Sequence, residues 1–369
     1  MPQPRLAETT PLPLAGRMAS PQSLSGRDVV RWGILGCGDV TEVKSGPGFQ
    51  KAQGSQLVAV MRRTSHLAAD YAKRHGVPRW YDRAEALVND PEVDAIYVAT
   101  TPGAHLETAL LVAAAGKPCY MEKPMARNTP ECDAMIASFA RANQKLFVAY
   151  YRRAMPRFLK VRDLVNDGAI GRLSGVSYRH SAPRVQPDPT KVGWRTTVEN
   201  SGGGLLLDIG SHVLDFLDFC LGPLADVQGR AARNATVGDV ENAVALTFRT
   251  GGDVLGTGMW NFASHVSEDV LEFTGTTGRV TVNFFANDPV RLETARGVET
   301  FDLPNPPHVA QPLIQTVVDD LLGRGTCPST AASALRTQRV MDQVLAEYYG
   351  GRDDAFWNRS ATWPGLRGA

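Results

Sequence analysis

From Val29 onward the chain alternates short apolar runs with longer stretches of helical period. VVRWGILG (Val29 to Gly36), LVAVM (Leu57 to Met61), DAIYVAT (Asp94 to Thr100), PCYME (Pro118 to Glu122) and KLFVAY (Lys145 to Tyr150) are nearly continuous in apolar residues. Strands of that kind are buried on both faces of a parallel sheet. SHLAADYAKRHG, AHLETALLVAAAG and TPECDAMIASFARAN lie between them and read as helices, the first two stopping at the Gly expected just past a helix. The alternation predicts a parallel sheet covered by helices on both sides.

After Tyr151 the rhythm changes. FLKVRDLVNDG predicts a helix, GRLSGVSYRHS a strand, and a Pro-rich loop then leads to GWR. ENAVALTFR, DVLGTGMWNF, EDVLEFTG and GRVTVNFF read as strands joined by GG, TG and ND turns, which suit antiparallel neighbours. Two late helices, near Leu313 to Leu322 and Ala332 to Tyr349, close the pattern. The expected fold class is therefore α/β plus α+β. A doubly wound parallel sheet occupies residues 29–150, and a mostly antiparallel open sheet with helices on one face occupies 151–350. Residues 1–28, rich in Pro, Ser and Ala, read as a disordered leader in which Met18 offers a second start, and 351–369 as a tail.

Length and charge agree with this division. A chain of 369 residues exceeds what one core usually serves. Lys plus Arg (39) nearly balance Asp plus Glu (38), so no global field selects nucleic acid or an anionic membrane. No run approaches the roughly 18 uninterrupted apolar residues of a membrane span. The five cysteines are odd in number and include no C-x-x-C pair, which predicts reduced thiols in a cytoplasmic protein and no zinc site.

GILGCGDVTE follows a strand and opens a helix, with Gly36 and Gly38 at the first two positions of G-x-G-x-x-G. The first glycine permits the tight turn, and the second lets a pyrophosphate approach the helix N-terminus at Asp39 and Val40. Thr41 stands where the third small residue is expected. At the end of the second strand, where NAD sites place an acid for the ribose hydroxyl, the chain carries Arg62 and Arg63. Two guanidiniums suit a 2'-phosphate, so NADP(H) is expected in preference to NAD(H).

LLLDIGSHVLDFLD, Leu205 to Asp218, places Asp208, His212 and Asp215 at i, i+4 and i+7 of a helix. Two readings fit. The stripe is the solvent side of an amphipathic helix whose core side is Leu206, Ile209, Val213, Phe216 and Leu217, or it faces a pocket. YMEKPMARN lies at the carboxyl edge of the parallel sheet, where ligands of open α/β folds bind. Lys123 there can deliver or accept a proton, with Pro124 fixing the turn. YYRR, Tyr150 to Arg153, begins the second half; Tyr151 and Arg152 are expected to border a sugar or polyol, or else to pack the junction.

WGILGCGDV, VATTPGAH, MEKP, GWR and GGGLLLDIGSH occur in the order and approximate spacing of the glucose-fructose oxidoreductase and inositol dehydrogenase family (Gfo/Idh/MocA). The chain resembles that family from about Val29 to Tyr349, and within it the 1,5-anhydro-D-fructose reductase-like members. The resemblance implies a Rossmann domain followed by an open-sheet domain. It implies an NAD(P)-dependent oxidoreductase acting on CH–OH groups of a sugar, anhydrosugar or cyclic polyol. It also implies that Lys123, Asp208 and His212 are catalytic, with Lys123 or His212 as the proton donor. Glu122 and the loop Thr100, Thr101, Pro102 with His105 would line the nicotinamide end of the cofactor, and Trp194 and Arg195 would reach over it. Asp208 and His212 then face the pocket, and Asp215 supports them or is exposed. A second copy of the chain is the expected partner, through the uncovered face of the C-terminal sheet.

Three rival readings use parts of the same pattern. Metal-dependent hydrolysis through Asp208, His212 and Asp215 lacks a further His or Cys at ligand spacing. An NADP-binding regulator without turnover would have no use for Lys123, Asp208 and His212 together. A relative with a tightly held nicotinamide, acting in glycoside cleavage or on a sugar and a reaction partner, fits Arg62 and the W-R pair less well.

Overall fold

The computed structural model describes residue 24 and residues 26–183, 193–234 and 240–352. The first sheet contains β1 (Val30–Leu35), β2 (Ser55–Met61), β3 (Arg79–Tyr81), β4 (Ala95–Val98), β5 (Cys119–Met121) and β6 (Leu146–Val148). Its order is β3-β2-β1-β4-β5-β6 and every adjacent pair is parallel. The order reverses between β1 and β4, and a ligand crevice opens at the carboxyl ends of strands at such a point. β3 is the strand that the apolar runs do not single out, because RWY is short and half-exposed at the sheet edge. Helices α1 (Asp39–Val43), α2 (Gly46–Lys51), α3 (Ser65–His75), α4 (Ala84–Val88), α5 (His105–Ala114) and α6 (Thr129–Arg141) make the connections. α3 ends at Gly76 with φ 64°, and the Asn128 side chain caps α6 by accepting from Glu131 N at 3.0 Å.

The second half opens with α7 (Pro156–Asn166), β7 (Leu173–Pro183), α8 (Val198–Ser201) and α9 (Ser211–Leu221). Strands β8 (Ala225–Ala232), β9 (Ala243–Arg249), β10 (Leu255–Ser264), β11 (Glu268–Gly275), β12 (Gly278–Val282), β13 (Val290–Thr294) and β14 (Gly297–Phe301) follow. The chain then closes with α10 (Gln311–Leu321) and α11 (Ala331–Tyr349). With β7 they make an eight-stranded sheet in the order β14-β13-β12-β11-β7-β10-β9-β8. It is antiparallel except between β7 and β10, which run parallel. One face packs against helices around Phe158, Tyr178, Phe216, Trp260, Phe273 and Phe284. The opposite face carries Leu255 and Met259, 69% and 41% exposed.

The division near residue 150 is not a division of cores. Leu313, Ile314, Val317, Val318 and Leu321 of α10 share one cluster with Val30, Trp32, Phe49, Tyr97 and Phe147. Ala331 and Ala334 of α11 pack with Met135 and Val148. The helix cover predicted for the first sheet is thus completed by the C-terminal end of the chain. Between α10 and α11, Ser329 Oγ donates to Val148 O at 2.6 Å and Thr330 bridges to Phe147, holding the segment on the sheet edge.

The expected leader and tail dock where they are described. Leu24 N donates to Leu321 O at 2.8 Å, and Arg27 pairs with Asp94 at 2.5 Å. Arg352 is buried, with its guanidinium 2.7 Å from Asp342 and 2.6 Å from Arg127 O. Residues 1–23, 25 and 353–369 lie outside the described residues, as do 184–192 of the Pro-rich loop. No helix among the described residues is long and apolar enough to cross a membrane. The five cysteines are free and buried.

Candidate active site

β1 runs into Gly36, whose φ of 91° lies in the left-handed region that favours glycine. A Cβ there would come within 3.0 Å of Thr100 Cγ2 and 3.2 Å of Ala99 C, so the turn is closed against the end of β4. Gly38 differs: the nearest atom to a Cβ would be Gly36 O at 3.9 Å, which leaves its side open. Thr41 is buried and caps the helix. Gly38 N donates to Thr41 Oγ1 at 2.9 Å, and that hydroxyl donates to Gly38 O at 2.7 Å. Close helix packing falls instead to Gly46, where a Cβ would strike Thr41 O. The first-turn N–H groups of Asp39 and Val40 have no intrahelical acceptor.

At the end of β2, Arg62 is half-buried and Arg63 exposed, and among the described residues neither joins an ion pair. Burial pushes the Cys37 thiol up to about 11 against the opposing field of Arg62, so that charge bears on the turn between the two glycines. A closed turn at Gly36, an open side at Gly38 and two unpaired guanidiniums fit a phosphorylated dinucleotide.

β5 ends at Met121, and Glu122 N returns to Val98 O at 2.9 Å. Lys123 therefore starts at the carboxyl edge, before a cis bond to Pro124. Its Nζ donates to Asp208 Oδ1 at 2.5 Å and to Asp208 O at 2.8 Å. Arg195 Nε donates to Asp208 Oδ2 at 2.8 Å. Burial works against the ionised carboxylate, but Lys123 and Arg195 together outweigh it and hold Asp208 below its usual range.

His212 is 6% exposed and meets the rings of Tyr150 and Tyr151 edge-on at 5.9 and 5.2 Å. Burial, then the charges of Arg152, Lys123 and Lys44, hold its imidazole well below the usual value, so it is neutral. Its buried Nδ1 has no protein partner. An orphaned N–H costs more than an orphaned lone pair, which favours the tautomer with the proton on Nε2.

The single helix predicted from Leu205 is instead a π turn, Leu206–Gly210, followed by α9. The widened turn falls at Asp208, whose carbonyl accepts from Lys123. Nor is the polar stripe a solvent face, because every residue from Ser211 to Asp218 is buried. The stripe splits. Asp215, 1% exposed, takes two bonds of 2.8 Å from Arg153, which also reaches Asp218 at 3.0 Å, and Arg336 closes on Asp218 at 2.7 Å. Burial pushes Asp215 up to about 6 against the pull of Arg153. Asp215 thus bolts α9 to the segment after β6 and is not exposed.

Around this cluster the loops interlock. His105 is fully buried, with Nδ1 3.0 Å from Pro124 O and Nε2 3.1 Å from Thr100 O, so it ties together the loops after β4 and β5 from behind. Burial lowers it to about 4. Pro102 is buried, Thr101 half-buried, and Thr100 Oγ1 is buried without a protein partner. A Cβ on Gly103 would lie 2.8 Å from Glu199 O, so the β4 loop is braced against α8. Before α8, Arg195 stacks over Trp194 at 4.4 Å and is more than half exposed. Tyr151 Oη accepts from Arg152 at 3.0 Å, which places both beside His212, whereas Arg153 of the same motif faces the Asp215 network.

Two contributors escaped the sequence reading. Tyr97 Oη lies 2.5 Å from Glu122 Oε1, in a site where burial raises the Glu122 carboxyl against that bond and against Lys123. Lys44, exposed at the end of α1, bears electrostatically on both Glu122 and His212. Its only signal is its place just beyond the glycine motif.

Residues 30–150 match an oxidoreductase family with an NAD-binding Rossmann fold, and residues 158–281 match the GFO/IDH/MocA C-terminal domain. The chain is 34% identical over 315 residues to Oxidoreductase P35 of Formosa agariphila, covering 85% of this chain and 97% of that protein. It is 30% identical over 272 residues to 1,5-anhydro-D-fructose reductase of Ensifer adhaerens, covering 73% and 80%. Levoglucosan dehydrogenase in complex with NADH and levoglucosan shares the fold, with a TM-score of 0.77 at 21% identity over 86% of this chain and 96% of that one. Both halves match in order and one relative matches nearly end to end: the chain belongs to the Gfo/Idh/MocA family of oxidoreductases.

Proposed function

We propose that the chain is an NADP(H)-preferring oxidoreductase that moves a hydride between the nicotinamide and a CH–OH or carbonyl carbon of a sugar, anhydrosugar or cyclic polyol. The observation that carries this reading is the convergence of Lys123 from the first half with Asp208 and His212 from the second at the carboxyl edge of the parallel sheet. Gly36 and Gly38, with the N–H groups of Asp39 and Val40, would hold the pyrophosphate, and Arg62 and Arg63 the 2'-phosphate. Thr100, Thr101, Pro102, Glu122, Trp194 and Arg195 would surround the nicotinamide, with His105 fixing the loop behind them. When bound, that ring supplies or takes the hydride.

The chain's own residues handle the proton. Two hydrogens of the Lys123 ammonium are committed to Asp208, and the third is free to meet the reacting oxygen. Lys123 thus donates to the developing alkoxide in reduction and takes the hydroxyl proton in oxidation. His212, held neutral, offers Nε2–H as a second donor to the same substrate, and Asp208 keeps Lys123 in place. Tyr151 presents a ring to the sugar. The names of the Ensifer and levoglucosan relatives support a sugar or anhydrosugar, and the unpaired Arg62 and Arg63 support NADP(H). The reading includes a cytoplasmic location, supported by five free thiols, and a homo-oligomer paired through the sheet face that carries Leu255 and Met259.

The test follows nicotinamide absorbance with a panel of sugars, osones, anhydro-ketoses and inositols, in both directions and with both cofactors. Turnover with NADP(H) supports the reading. Silence with tight NADPH binding points to a regulator or a closed-cycle enzyme, and silence without NADPH binding removes the nucleotide assignment.

A further inference from the structure

Arg152, Arg153 and Arg157 are all buried at the junction, and protein oxygens answer them unequally: Arg152 and Arg157 each keep a buried Nε without a partner, and Arg152 has the fewest acceptors of the three. Arg153 is paired with Asp215 and Asp218, and Arg157 donates to the main-chain oxygens of Ala286, Asp288 and Phe284. Arg152, 7% exposed, has one acceptor, Tyr151 Oη at 3.0 Å, and its Nε is buried with none. Its guanidinium sits among the rings of Tyr151, Phe158, Phe284 and Phe285, at 4.9, 5.5, 4.7 and 4.7 Å. Ring faces attract the charge, but they leave the directed N–H bonds unanswered. Asp269, the carboxylate whose field reaches Arg152, stands beyond ion-pair distance and already accepts from Tyr178 Oη at 3.0 Å and Phe285 N at 2.5 Å.

Arg152 belongs to a group. His212 Nδ1, His180 Nδ1 and Trp260 Nε1 are also buried without protein partners. The four are contiguous. The Tyr151 ring touches both Arg152 and His212, the Phe285 ring touches both Arg152 and His180, and Trp260 pairs with His180 across β10 and β7. Arg152 Nε and Trp260 Nε1 are obligate donors. Buried polar atoms without partners are rare in folded proteins, and adjoining ones mark a place that a ligand completes: the two obligate donors call for acceptors, and His212 Nδ1, a lone pair in the tautomer above, for a hydroxyl. Hydroxyls alone would answer the donors and leave the cation bare. A carboxylate answers both, and its oxygens match the planar guanidinium.

We infer that the preferred substrate is a sugar acid, whose carboxylate sits on Arg152 while its reacting carbon faces Lys123 and His212. The inference rests on the oxidoreductase reading above and names its substrate class. Burial depresses the Arg152 guanidinium, as it does any cation taken from water without a counter-ion, and a bound carboxylate reverses that cost.

The test uses the full chain with its nicotinamide and matched sets in several ring configurations: a pyranose, its uronic acid, the methyl ester of that acid and a sugar phosphate. The free acid is expected to exceed ester and pyranose in kcat/KM on the order of a hundredfold, chiefly through KM. Arg152→Met should erase that preference, and Arg152→Lys should keep part of it. If Arg152→Met fails to fold, competition in the wild-type protein decides, with the acid inhibiting and the ester not. Equal or better use of the pyranose without inhibition by the acid overturns the inference and leaves the oxidoreductase reading standing. Preference for the phosphate overturns it as well. If nothing turns over, calorimetry decides: binding of acid but not ester supports the carboxylate seat, and binding of neither overturns it, while the oxidoreductase reading stands or falls on the wider panel and NADPH binding above.

Discussion

Lys123 Nζ and the Asp208 carboxylate, 85 positions apart in sequence, meet at 2.5 Å where the parallel sheet faces the π turn. The contact joins the two halves of the chain through a group that the proposed chemistry also uses. The first half supplies the ammonium and the second the carboxylate that holds it, so both are needed to seat Lys123.

Lys123→Met removes that group while leaving Gly36, Gly38 and Arg62 untouched. Steady-state kinetics should show kcat lowered by roughly a hundredfold to ten-thousandfold, and fluorescence titration should show NADPH binding largely retained. Activity near wild type would take Lys123 out of the mechanism.

Arg62→Ala tests the cofactor preference. A lost charge-assisted bond predicts NADP affinity weaker by about tenfold to a hundredfold, with NAD affinity unchanged. Tighter binding of NAD than NADP by the wild-type protein would sink the assignment outright.

His105 makes stability sensitive to acid. The folded imidazole takes its proton only near pH 4, whereas the unfolded one does so near its usual 6.5. Between those values the unfolded chain binds more protons, so stability falls as pH drops from about 6.5 toward 4, by about 3 kcal/mol from this residue. Asp215 acts in the opposite sense: its carboxyl is raised to about 6, so its contribution is fully present below the ordinary carboxylate range and is lost as pH rises through 6. Urea unfolding of His105→Gln at several pH values should show a flatter acid limb than wild type; an unchanged limb would refute the assignment.

Arg153→Met leaves Asp215 without its partner in a buried place and deprives Asp218 of one of two. Denaturant midpoints should report a loss of about 3–5 kcal/mol. A loss within a few tenths of a kcal/mol would mean that the network contributes nothing to holding α9.

Leu255→Glu combined with Met259→Glu places charge on the uncovered sheet face. Light scattering is expected to show an oligomer for wild type and a smaller species for the double variant. A monomeric wild type would end the pairing proposal.

What the sequence made legible follows from where side chains are buried. β1, β2 and β4 announce themselves because they are apolar on both faces, whereas β3 and β14 are edge strands with exposed or half-exposed residues and no such signature. Spacing set Asp208, His212 and Asp215 in one stripe, but their fates were decided by residues that arrive from elsewhere: Lys123 for the first, Arg153 for the last. Family resemblance, not periodicity, separated them. The π turn left no trace, since local widening of a helix does not alter an apolar pattern. Lys44 and His180 were missed because each stands alone in sequence and gains its neighbours only through the fold.

The placement of α10 also bears on how the molecule is made. The face of the first sheet bearing Trp32 and Tyr97, on which Phe49 of α2 packs, is covered further by Leu313, Ile314 and Val317, which are synthesised after the whole second sheet. During translation the early strands wait with an apolar face that α2 covers only in part, and a fragment ending near Tyr150 leaves the rest uncovered permanently. Such a fragment is expected to aggregate rather than bind nucleotide, so the matched N-terminal region is a unit of ancestry and not a unit of folding.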